Sequence, residues 1–250
     1  GELLSLYVAA PILAQYRGTL LGERFDASFR KIAALLPERL RDRVCLLQDR
    51  VNAKPRVPSH EDATRFSRVL DAVHRDRQLR ITYFSAHRGA TSTREIDPYA
   101  VFVANSTWYV IGYDHARARV LTFAIDRIWT IAESGRTFRR PTNFSVGGFF
   151  ADAFGVVRAD DATDTHDEIT IAFDAFASRY VRETEWHPTQ RINVRRDGRV
   201  ELTFRVRGTG EVERFVLAWG EHAEVVSPPE LRDRMRRRLE RTLERYAEDR

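Results

Sequence analysis

The chain has 250 residues and a mass of 29.0 kDa, enough for one large domain or for two to three small ones with their own cores. With 31% charged and 43% hydrophobic residues and no apolar run long enough to cross a bilayer, it is neither fibrous nor disordered, and a membrane-spanning role is not expected. The net charge is +5 and the pI about 9.6, carried almost wholly by arginine, whose rigid donor fork suits phosphate; this modestly favours a nucleotide or nucleic-acid partner.

From about residue 3 to 50 the apolar residues recur at helical spacing. Leu3, Leu4, Leu6, Tyr7, Ala10 and Leu13 form one such set, and Phe25, Phe29, Ile32, Leu35 and Leu36 form another, which Pro37 ends. The single cysteine, Cys45, lies in this helical stretch. An internal disulfide and a cysteine-based zinc cluster are therefore excluded, which fits a reducing cytoplasm. Because the chain begins Gly1-Glu2 and its one methionine is Met235, an upstream segment is expected. The prolines and small polar residues of "VNAKPRVPSHEDATR" mark a linker into a helix near 60–77.

The period then changes from 3.6 to 2. Strands are predicted around 79–84, 94–103, 107–114, 118–125 and 127–132, separated by turn chemistry in "HRGATST", "ANS" and "DHAR". Five short strands without an intervening helix predict a small, strongly bent antiparallel barrel. A mixed connection over about 139–167 places a domain boundary. Beyond it, "EITIAF", "AFASRYVRE", the "RINVRRDGRVELTFRV" hairpin with its Asp197-Gly198 turn, "EVERFVLAWG" and "HAEVVS" give the order βαββαβ of a ferredoxin-like sandwich. The last helix is expected after Ser227 as N-cap with Pro228 at its first position. Its apolar stripe is Leu231, Met235, Leu239, Leu243 and Tyr246.

Side chains two apart on a strand share a face, so parity sorts the polar residues of the barrel. Tyr83, Ser85 and His87 continue the parity of Leu79 and Ile81. Arg94 shares parity with Ile96, and Arg119 and Arg127 flank Leu121, Phe123 and Ile125. A simple meander gathers Ser85, His87, Arg94, Asp114 and Arg119 at one mouth, and Trp108 and Arg127 at the other. Hydroxyl, imidazole and guanidinium groups near aromatic rings suit an anionic ligand with a stackable base. In "STWYVIGYD", Trp108 and Tyr109 fall on opposite faces and cannot form one platform. No GxSxG elbow, HExxH spacing or glycine-rich phosphate loop is present, so neither catalysis nor a metal or other cofactor is expected.

In order and spacing, "RITYFS", "REIDPYAVF", "TWYVIGYD" and "LTFAIDRI" resemble the WYL-domain family of bacterial transcriptional regulators, named for a Trp-Tyr-Leu run that here is Trp108-Tyr109-Val110. The tail resembles the family's C-terminal WCX extension, and "FDASFRKIAALLPERLRDRV" is similar to the connector that follows its winged helix. The resemblance implies an α+β chain of four parts. These are a helical connector and dimerisation segment (1–60), a small Sm-like or SH3-like antiparallel barrel (61–140), a linker (141–167) and a ferredoxin-like WCX domain (168–250). It implies ligand sensing for a DNA-binding winged helix upstream, in a cytoplasmic homodimer. Its pocket residues map onto Tyr83, Ser85, His87, Arg94, Trp108, Tyr109 and Arg127. Where the family often has arginine this chain has Leu121, and Arg119, two places earlier with the same parity, is the candidate substitute. The expected effector is nucleic-acid-derived or otherwise anionic, and Arg94→Ala and Arg127→Ala are expected to weaken its binding more than they lower thermal stability. Two other classes fit the same residues: a constitutive oligomerisation module, and a nucleic-acid hydrolase.

Overall fold

The computed structural model describes residues 20–37, 60–86, 88–104, 107–156 and 167–247. The chain divides into two compact units, Gly1–Thr142 and Asn143–Arg250. Much of the expected connector, with Leu3 to Leu13 and Cys45, lies outside the described residues. Within it, α1 (Leu20–Ala34) packs Phe29, Ile32 and Ala33 against Leu36.

In the first unit, α2 (His60–His74) is followed by β1 (Arg77–Ser85), β2 (Ala90–Ala104), β3 (Thr107–Asp114), β4 (Arg119–Ala124) and β5 (Ile128–Thr137). All pair antiparallel in the order β4-β3-β2-β1-β5. Period-2 burial drives this. Leu79, Ile81, Ile96, Val110 and Phe123 turn to one face and join Phe66, Val69 and Ala72 of α2 in a single core.

The closed barrel expected from the sequence is not formed. β4 and β5 are the two edges of the ladder, joined through a 3-10 turn, Ile125–Arg127, instead of by hydrogen bonds to each other. The physical reason lies in what fills the concave face. The apolar stripe of α2 and the buried Ile125 and Ile128 occupy it, so the core is closed by a helix and a turn and the edges need not meet. The sheet is nonetheless strongly curled. The Tyr83 hydroxyl on β1 accepts a hydrogen bond from the Ala124 amide at the end of β4, at 3.4 Å, although β2 and β3 lie between them in the ladder.

The second unit opens with α3 (Val146–Phe150), whose N-cap Ser145 accepts from the Gly148 amide at 3.0 Å. Part of the stretch expected to be a linker therefore packs here: Phe154 lies 4.9 Å from Phe204 and 5.0 Å from Phe215, ring to ring. Then follow β6 (Asp167–Phe173), α4 (Ala177–Val181), β7 (Arg191–Val194), β8 (Val200–Val206), α5 (Gly210–Ala218), β9 (Ala223–Ser227) and α6 (Pro229–Ala247). The sheet is antiparallel, ordered β7-β8-β6-β9, and Gly198 takes the φ of +83° that its turn requires. Ser227 belongs to β9 and α6 begins at Pro229, slightly later than the sequence indicates. Leu231 and Met235 of α6 are buried in the core, whereas Leu239, Leu243 and Tyr246 are 50%, 70% and 86% exposed.

One buried group here gives the second unit a pH dependence. His187 is 3% exposed, its Nδ1 accepts from the Thr189 amide at 3.2 Å, and its Nε2 has no hydrogen-bond partner among the described residues. Burial pushes its pKa down, against a smaller opposing pull from Asp152. The folded imidazole stays neutral while the unfolded one takes a proton near its ordinary value of about 6.5. Stability is therefore fully present above about pH 6.5 and falls as pH drops below it toward the folded value. Thermal melting of His187→Gln between pH 5 and 7 should show a flatter pH profile than the parent; superimposable profiles would remove this role.

Candidate functional site

The β1–β2 register sets Ile81 opposite Arg94, Tyr83 opposite Ser92 and Ser85 opposite Ala90. In β3 and β4, Asp114 is opposite both Ile96 and Arg119. Since directly paired residues share a face, Tyr83, Ser85, Ser92, Arg94, Asp114 and Arg119 lie on the concave side with the core. Trp108 shares that side, its ring 4.5 Å from Phe66 of α2. Tyr109 is on the opposite face, stacked on Phe102 at 5.2 Å and 17°. The two aromatics of "STWYVIGYD" thus point apart, as their parity requires.

Arg94 does not stand open to a ligand. It is 9% exposed; its Nη1 donates to Asp114 Oδ2 at 3.3 Å and its Nε to Ser92 Oγ at 3.0 Å. Asp114 is wholly buried, and its Oδ1 accepts from the Ala116 amide at 2.9 Å, which closes the turn into β4. Low dielectric strengthens this pair and makes each half dependent on the other. The Tyr83 ring meets Phe123 edge-on at 5.1 Å, and Ser85 Oγ accepts from Arg88 Nε at 3.4 Å. Arg119 is half-buried. Arg127 is exposed, with no hydrogen bond or ion pair among the described residues. His87 lies outside the described residues.

The structure therefore brings Tyr83, Ser85, Arg94 and Arg119 to one face and keeps Tyr109 off it. Parity alone missed Ser92, although it is two residues from Arg94 on the same strand; it grouped Asp114 with Arg94 without pairing the two. Chemically, the face offers hydroxyls, an aromatic edge and a guanidinium already neutralised by a carboxylate. Arg119 lies on the same face, and exposed Arg127 ends the turn after β4. Such a surface can hold an anion or a polar planar group.

Comparison with known proteins finds two family models on this chain: the WYL domain over residues 64–133 and the WCX domain over 165–243. Among solved structures, the chain is similar to proteasome accessory factor B/C (PafBC) of Arthrobacter aurescens. The identity is 22%, the match covers 82% of this chain and 30% of that one, and the TM-score is 0.36. It is also similar to a CRISPR Cas-related protein, at 11% identity, covering 74% and 52% of the two chains with a TM-score of 0.47. The chain thus spans less than two thirds of the length of either protein.

Proposed function

Because this chain belongs to the WYL-domain family and carries a WYL domain followed by a WCX domain, we propose that it is the effector-sensing regulatory part of a bacterial transcriptional regulator. On this reading the two units are an Sm-like WYL sheet and a ferredoxin-like WCX sandwich, in a cytoplasmic homodimer that controls operator DNA through a winged helix upstream. The effector is nucleic-acid-derived or another anion, the chain needs no cofactor, and its role is regulatory rather than catalytic. Tyr83, Ser85, His87, Arg94, Trp108, Tyr109, Arg119 and Arg127 are its proposed contacts or their supports.

The observation that carries the ligand-binding part is the grouping of Tyr83, Ser92, Arg94 and Arg119, from β1, β2 and β4, on one concave face. Arg94 and Asp114 support that face as a fixed pair, and Arg127, exposed in the turn after β4, is the proposed charged contact. Native mass spectrometry of the purified chain should show a co-purified nucleotide or oligonucleotide. A bare dimer favours instead a constitutive oligomerisation module, a reading supported by the exposed Leu239, Leu243 and Tyr246.

A mutation separates contact from support. Arg127→Ala should weaken binding of a labelled mixed-sequence single-stranded DNA roughly tenfold, the order of one charge-assisted hydrogen bond, while stability stays within about 0.5 kcal/mol. Binding should also weaken as salt is raised. Unchanged affinity in the variant, or affinity indifferent to salt, counts against Arg127 as a contact.

A further inference from the structure

The turn between β3 and β4 is pinned on both faces by consecutive residues. Asp114 reaches Arg94 on the concave side. His115 turns to the other side, where its Nε2 lies 2.9 Å from Asp97 Oδ1 and 2.9 Å from Gln78 Nε2. Gln78 Nε2 is itself 2.8 Å from the same Asp97 oxygen, and Gln78 Oε1 accepts from Ser134 Oγ at 3.0 Å. Gln78 and Asp97 are buried at 5% and 8% exposure, while the His115 side chain is 41% exposed and can exchange protons with solvent.

These three atoms form a near-equilateral triangle that no single proton arrangement satisfies. The amide nitrogen is only a donor and the carboxylate oxygen only an acceptor. A flipped Gln78 would set its oxygen against the carboxylate, so its orientation is fixed. As N–H, His115 Nε2 bonds Asp97 and crowds the Gln78 donor. As a bare nitrogen it accepts from Gln78 and sets its lone pair against Asp97. The doubly protonated ring admits only the first arrangement, whereas the neutral ring admits either, according to which nitrogen keeps its proton.

We propose that His115 is a proton-operated latch on the β3–β4 turn. When a solvent proton leaves the ring carrying N–H at both nitrogens, Nε2–H clamps the turn to buried Asp97. When that proton is lost, the turn can relax toward Gln78. Since Asp114 is the adjacent residue, the latch sets how firmly the Arg94–Asp114 pair is held on the concave face. The latch stands on this geometry alone; its consequence for effector binding rests on the function proposed above.

The charged and titratable groups facing the ring do not compete for this role. From β2, Glu95 accepts the His115 amide through its carbonyl at 3.0 Å, and the hydrogen bond from Arg80 holds its carboxyl below the usual range, with Arg136 also near it. Burial, with Asp97 nearby, pushes the Tyr99 hydroxyl up. Tyr113 presents its ring edge-on to His115 at 5.1 Å.

The test uses the full chain without effector, followed by NMR from pH 8 to pH 5. The Ala116 amide, bonded to Asp114, and the Arg94 Nε–H should shift in the same transition as the His115 ring. In His115→Gln, a change at a partly exposed side chain, that transition should disappear from both signals. In Asp97→Asn the amplitude at Ala116 and Arg94 should fall at least twofold. Ala116 and Arg94 signals that ignore the His115 titration, or that keep the transition in His115→Gln, overturn the latch. A separate arm compares binding of mixed-sequence single-stranded DNA at pH 5.5 and 8. Binding at neither pH counts against the functional reading alone. A pH ratio at least twofold closer to unity in His115→Gln supports the link between them, and an unchanged ratio breaks it.

Discussion

Replacing Arg94 with alanine should lower the stability of the first unit by about 3–5 kcal/mol, the loss expected when one partner of a buried ion pair is removed. The reason is what stays behind. Asp114 is wholly buried, with its side chain 1% exposed, and without Arg94 its Oδ2 loses its donor among the described residues while Oδ1 keeps the Ala116 amide. Urea denaturation measures the loss, and a value under about 1 kcal/mol would sink the assignment. A double change, Arg94→Met with Asp114→Leu, should recover much of it, because an apolar pair of similar volume removes the unpaired charge. The sequence alone led to a different expectation for Arg94→Ala, that it weakens binding more than it lowers thermal stability. Burial and the contact with Asp114 replace it: binding and stability should fall together at Arg94 and separate only at Arg127.

Gly112→Ala should cost about 1–3 kcal/mol, the range for forcing extra atoms into a packed interior. A Cβ at this position would stand 2.8 Å from the Asp97 carbonyl oxygen and 3.3 Å from both the Asp97 carbonyl carbon and Pro98 Cα. All three are backbone atoms beside the irregularity in the β2–β3 register, so no side chain can swing away. β2 itself must shift. Thermal melting checks the cost, and a change within about 0.5 kcal/mol would show that the strand yields freely. Because Asp97 moves with that backbone, the variant should also disturb the His115 contact, visible in the ring signals.

Much of the fold can be read from periodicity, because burial on one face imposes it. The alternation of Leu79, Ile81 and Tyr83, and the opposite parities of Trp108 and Tyr109, need only the two-residue repeat. β2 is harder. Its first residues, Ala90 to Thr93, look like turn chemistry because Thr91 and Thr93 are exposed, and the irregularity between Pro98 and Ala100 resets the parity midway. Closure of the barrel was illegible for another reason: it depends on what fills the concave face, and the stripe of α2 that does so is an ordinary amphipathic pattern when read alone. The site divides in the same way. That Tyr83, Arg94 and Arg119 share a face follows from parity. That Arg94 is held by a carboxylate 20 residues away does not, because a long-range pair leaves no local signature.

The strand orders also govern how each unit can assemble. β1 is an inner strand whose second neighbour, β5, is synthesised roughly 50 residues after it, as Leu79 meets Glu133. In the other unit β6 waits about as long for β9, as Phe173 meets Ala223. Contacts of that sequence separation slow folding, since the loop must close before the pairing rewards it. On the ribosome each unit therefore carries an open strand edge until its final strand emerges. A chain ending before Ile128 would keep the β1–β4 hairpins, leave β1 unpaired along one side and expose a template for aggregation.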